Sequence, residues 1–108
     1  GAGIRADIRE TDRAYIIEAD MPGFDREDIS VELIDDQLTI SAKRDEHTDE
    51  EGKDYIRRER RYGSMTRSFS VQGIEHEAVK AEYRDGVLRI TLPKNEEAIK
   101  QGRNIEIE

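Results

Sequence analysis

Apolar residues recur at every second position along this chain. Ile4, Ala6 and Ile8 alternate with Arg5, Asp7 and Arg9, and Tyr15, Ile17, Ala19 and Met21 share one side of "AYIIEADM". Successive side chains of an extended backbone point to opposite faces, so this pattern predicts strands buried on one face. "PGF" at 22–24 ends the run, because proline fixes φ and glycine frees it. Ile29, Val31 and Leu33 then alternate in "DISVELI", Asp35-Asp36 supplies a turn, and Leu38, Ile40 and Ala42 alternate in "QLTISA".

Residues 43–54, "KRDEHTDEEGKD", hold no apolar side chain and predict an exposed loop around Gly52. "YIRRERRYG" follows, with β-favouring Tyr55, Ile56 and Tyr62 among four arginines, too polar for a central strand. In "SMTRSFSV" the face of Met65, Phe69 and Val71 is interrupted by Arg67; "QGIEHEA" reads as a loop, and "VKAEY" places Val79, Ala81 and Tyr83 together. Arg84-Asp85-Gly86 predicts a tight hairpin turn into "VLRITLP", where Leu88, Ile90 and Leu92 are in register. The only helical turn expected lies in "NEEAIKQ". Seven or eight short strands of this kind predict an all-β, immunoglobulin-like antiparallel sandwich.

Composition narrows the function. With 108 residues there is room for one core, and Phe, Ile, Leu and Val make up only about a fifth of the chain, so folding rests on where apolar residues stand. The net charge of -8 opposes phosphate backbones and anionic membranes, so neither nucleic acid nor membrane is an expected partner. No cysteine is present, which removes disulfide and thiolate-metal chemistry and fits a cytoplasmic location. The chain opens "GAGIRADIRE" without methionine, so a longer parent is expected, with Gly1 to Gly3 an appended remnant.

Catalytic chemistry finds little support. His47 and His76 are the only histidines, and in "EHE" neighbouring side chains point apart rather than converging on a metal. A calcium loop turning at Gly52 would need oxygen ligands at 47, 49 and 51, and residue 47 is histidine. The carboxylates read as a solvated surface, and no phosphate loop or nucleophile elbow is present. Arg57, Arg58, Arg60 and Arg61 suit an ion-paired protein interface better than a nucleic-acid patch. No cofactor, metal, small-molecule substrate or enzymatic activity is expected.

"AEYRDGVLRITLPK" resembles the A-x-x-x-(N/D)-G-V-L signature near the end of the α-crystallin domain of small heat-shock proteins, here Ala81, Asp85, Gly86, Val87 and Leu88. "DMPGF", "DISVEL", "LTISAKR", "YIRRERRYGSMTRSFSV" and the terminal Ile105-Glu106-Ile107, similar to the family's I-x-I motif, extend the likeness from Ile4 to Ile107. The resemblance implies an α-crystallin domain at 4–94, with a protruding dimerisation strand, and a C-terminal extension at 95–108. It implies an ATP-independent holdase that keeps partly unfolded proteins from aggregating. The expected dimer pairs an arm at 55–61 (Tyr55, Ile56, Arg58, Arg60) with the partner's Ile4, Ala6 and Ile8, and larger homo-oligomers follow. Ile105 and Ile107 would enter a neighbour's groove lined by Val31, Leu33, Val79, Ala81 and Tyr83, where clients would compete. Two departures stand out: "SVQG" replaces the Leu-Pro found in many members, and the apolar arm that usually precedes the domain is absent. The readings set against it are a structural or adhesion sandwich and a CS-domain-like co-chaperone module.

Overall fold

The computed structural model describes residues 3–51, 56–101 and 107–108, with backbone alone described for 45–51 and 56–62. Seven strands run through these residues. β1 (Arg5–Glu10), β2 (Ala14–Asp20), β7 (Val87–Pro93) and β6 (Lys80–Arg84) form an antiparallel sheet in the order β1-β2-β7-β6. β3 (Ile29–Ile34), β4 (Gln37–Glu51) and β5 (Ile56–Ser70) form a second, in the order β3-β4-β5.

The alternation read from the sequence fixes which faces meet. Ile17 and Ala19 of β2, Leu38, Ile40 and Ala42 of β4, and Leu88, Ile90 and Leu92 of β7 are all buried, joined by Met21, Val71 and Ile74 from the connections. In β3 only the odd positions turn inward, and Ile34 on the outer face is exposed. Both two-residue hairpin turns begin with an aspartate in the left-handed region, Asp35 at φ 54° and Asp85 at φ 51°, a conformation that short polar side chains tolerate. Gly86 follows Asp85 at φ 79°, as a turn with two left-handed residues demands.

One expectation fails in an informative way. Residues 43–51 are strand, not loop: β4 continues through Glu51, and β5 is a single strand from Ile56 to Ser70 instead of an arm followed by a separate strand. Pairing with β3 stops at Ala42, so beyond it β4 has only β5 beside it. Nine residues at about 3.3 Å each carry this two-stranded hairpin roughly 30 Å past the β3 edge. A strand needs hydrogen-bond partners but no core, and here the ladder supplies them. Its register places Glu46 opposite Arg61, Asp49 opposite Arg58 and Glu50 opposite Arg57, the opposite-charge arrangement that cross-strand neighbours favour. A 3₁₀ turn at His76–Ala78 also replaces what read as plain loop, and a second, at Arg26–Asp28, leads into β3.

After β7 the chain forms a short helix, α1 (Glu96–Lys100), capped by the Asn95 side chain, which accepts a 2.7 Å hydrogen bond from the Ala98 amide. The Asn95 amide donates to the Gly73 carbonyl at 2.7 Å. A β-carbon on Gly73, at φ +65°, would lie 2.4 Å from that of Ala98, so α1 sits directly on this glycine. The start of the expected extension is thus seated on the sandwich.

Candidate functional site

A sandwich of two open sheets has four edges. β3 and β6, one from each sheet, border a groove of about 320 Å³. Its floor is apolar, made by Ile29 and Val31 of β3, Ala81 and Tyr83 of β6, and Leu88 of β7. Ala81 is opposite the fully buried Ile90 in register, so it lies on the inward face, yet it is exposed because no strand of the other sheet covers it. Leu33 and Val79, expected in the groove, are not among its lining residues; like Val31 and Tyr83 they pack half-buried against the core. Val79 precedes β6 rather than belonging to it.

Tyr83 holds one end of this groove together. Its hydroxyl lies 2.5 Å from the Met21 carbonyl and 2.9 Å from the Phe24 carbonyl, so a residue of β6 pins the "PGF" connection. Arg44 reinforces the same connection from β4, donating to the Pro22 carbonyl at 3.1 Å with its guanidinium 4.2 Å from the Phe24 ring centre. Three charged residues stand at the rim. Arg26 reaches from its 3₁₀ turn to within 3.5 Å of the Tyr83 carbonyl, and Arg84 and Glu82 lie 3.8 Å apart.

The second feature is the β1 edge. Ile4 is buried and Ala6 half-buried, while Ile8 is 45% exposed although it faces the fully buried Ile17 in register. Arg67, the charge that interrupts the inner face of β5, donates to the Ile4 carbonyl at 2.8 Å and lies 5.1 Å from the Phe69 ring centre. The outer edges of both β1 and β5 have no strand beside them among the described residues. Ile56, Arg58 and Arg60 occupy β5 with only their backbone described; Tyr55 and Ile105 lie outside the described residues. Ile107 is described and 99% exposed.

Among the described residues no group of three or more histidines or carboxylates is placed to hold a metal ion, and no helix is long and apolar enough to cross a membrane. The groove residues that sequence reading missed are Ile29, Leu88 and the rim charges Arg26, Glu82 and Arg84. No signal marked them, since nothing in an alternating pattern says which inward residues end up beside an open edge. Arg67 did carry a signal, because a guanidinium on an inward face requires an acceptor there.

The overall fold, an antiparallel sandwich with seven strands among the described residues, is shared with solved structures. The small heat-shock protein from Xylella fastidiosa, whose structure is described as having a distinct high order structure, is 32% identical with a TM-score of 0.67 over 97% of this chain and 95% of that one. The hspA of Xanthomonas axonopodis is 31% identical with a TM-score of 0.64, covering 87% and 95% of the two chains. Among sequence relatives, the 18 kDa heat shock protein of Clostridium acetobutylicum is 43% identical over 108 residues, 98% of this chain and 72% of that protein. Small heat shock protein C2 of Rickettsia felis is 40% identical over 105 residues, 96% and 66% respectively. The profile of the Hsp20/alpha crystallin family matches residues 7–108, and the chain belongs to this family of small heat-shock proteins.

Proposed function

We propose that the chain acts as an ATP-independent holdase chaperone of the cytoplasm, binding partly unfolded proteins along its open strand edges without catalysing a reaction. The observation that carries this reading is the apolar groove between β3 and β6, open along the inward-facing Ala81, which stays exposed. Unfolded chains display short apolar strands, and an exposed edge flanked by an apolar trough accepts such a segment by strand addition. A structural or adhesion module, or a CS-domain-like one, would have no use for the exposed Ile107 or the projecting hairpin.

Self-assembly uses the same surfaces in this account. The free edge of β5 pairs with a partner's β1 and the residue leading into it, over Ile4, Ala6 and Ile8, to make the dimer. Ile105 and Ile107 of the extension, taken as 95–108 beyond a domain at 4–94, enter the groove of a neighbour over Val31, Ala81 and Tyr83, with Leu33 and Val79 supporting the groove walls from the core. Clients and tails then compete for one trough. No cofactor, metal, small-molecule substrate, nucleic acid or membrane takes part.

The test is heat-induced aggregation of a model client, followed by turbidity with this chain added near stoichiometric ratio. Suppression that is the same with and without ATP supports the proposal. Unchanged aggregation at excess chain contradicts it.

A further inference from the structure

The groove carries more charge at its rim than an apolar docking site requires. Arg26 stands at one side, its Nη2 3.5 Å from the Tyr83 carbonyl, and Arg84 stands on β6 itself. Glu82 is the single carboxylate lining the groove; it lies 3.8 Å from Arg84, and both side chains remain mostly exposed. Among the described residues that line the trough, two carry a guanidinium and one a carboxylate, in a chain whose net charge is -8. A strand that lays alternate apolar side chains on the floor must turn its intervening side chains toward the rim and solvent. Negative charge at those intervening positions is favoured there by the two arginines.

The chain itself contains such a strand. Its last four residues are Ile105-Glu106-Ile107-Glu108, two isoleucines interleaved with two carboxylates, and Ile107 is 99% exposed, so its own chain does not cover it. We infer that Arg26 and Arg84 make the groove selective for strands that alternate apolar and acidic residues, and that the matching occupant is the tail of a second copy of this chain. The inference deepens the docking reading above and rests on it. It adds a choice among apolar segments: those carrying lysine or arginine between their apolar residues are disfavoured, as tail or as client. The net charge of the whole chain works in the opposite sense, attracting basic peptides at long range. Only a local effect at the rim can produce an acidic preference.

The test titrates three labelled, C-terminally amidated peptides into the full chain carrying Ile105→Ala and Ile107→Ala, whose own tail no longer competes. One peptide is the native 103–108 sequence, one carries Glu106→Lys and Glu108→Lys, and one carries both Ile→Ala changes. At low salt the native peptide is expected to bind roughly three- to tenfold more tightly than the lysine peptide, as two exposed ion pairs allow. The gap should close at about 0.5 M salt, and Arg26→Glu with Arg84→Glu should reverse the order. Equal binding of these two peptides at low salt overturns the charge selectivity, as does an order unchanged in the reversed-rim variant. Native binding no tighter than that of the alanine peptide overturns the docking reading itself. The peptide comparison on the unaltered rim decides the matter even if the rim variant folds poorly.

Discussion

The Arg67 guanidinium donates to the backbone carbonyl of Ile4 over 2.8 Å, tying β5 of one sheet to the residue that leads into β1 of the other. The residue is half-buried, and its guanidinium carbon lies 5.1 Å from the Phe69 ring centre. A hydrogen bond from a charged donor contributes about 1.5–3 kcal/mol, and removing the donor leaves the Ile4 carbonyl short of a partner. Arg67→Met keeps the length of the side chain and loses the bond. It is expected to lower the melting temperature by roughly 6–15 °C for a domain of this size, read by thermal unfolding. Arg67→Lys should fall between the two.

Gly73 is expected to tolerate no side chain. Its φ of +65° is strained for alanine, and the new β-carbon would meet Ala98 at 2.4 Å. Gly73→Ala should cost about 1–3 kcal/mol and lift α1 from the sandwich, seen as loss of amide-exchange protection at Ala98. Adding Ala98→Gly relieves the contact and leaves the backbone strain, so stability should return only in part.

Tyr83→Phe removes the hydroxyl shared by the Met21 and Phe24 carbonyls. Loss of about 1–2 kcal/mol is expected by denaturant unfolding with an unchanged m-value. Because this hydroxyl fixes the connection beside the groove, binding of the native tail peptide should weaken along with stability.

At the β1 edge, Ile8→Lys places a charge where the dimer is expected to bury an isoleucine that the single chain leaves 45% exposed. Each of the two symmetric contacts contributes on the order of 1 kcal/mol, so the dimer dissociation constant should rise at least tenfold. Sedimentation across a concentration series measures it, with the melting of the monomer unchanged.

The parts legible in the sequence are those where burial on one face imposes a period of two. β2, β3, β4 up to Ala42 and β7 show it, as do the turns at Asp35 and Asp85, whose residue types match their backbone angles. Residues 43–51 hold no apolar side chain, so the first limb of the hairpin beyond Ala42 offers no alternation to read, whereas the β-favouring Ile56 and Tyr62 marked the second limb as strand-like. Groove residues were legible to the extent that they are inward-facing. Val31, Ala81 and Tyr83 line the trough, while Leu33 and Val79, picked out by the same alternation, are not among its lining residues. Which inward residue meets an open edge depends on the stagger between the two sheets, and no single segment encodes that.

The central claim is that the tail joins subunits through the groove and takes no part in its own domain's core. Solution mass by light scattering, measured together with melting temperature for the unaltered chain and for the variant carrying Ile105→Ala and Ile107→Ala, tests it most directly. Two buried isoleucines supply about 3–6 kcal/mol against several lost to ordering and association, so each contact is weak and only repeated contacts hold an assembly. The account predicts that the unaltered chain forms assemblies larger than a dimer, that the variant falls to the dimer, and that the two melt at nearly the same temperature. Assemblies of unchanged size in the variant, or a markedly lower melting temperature, would contradict it.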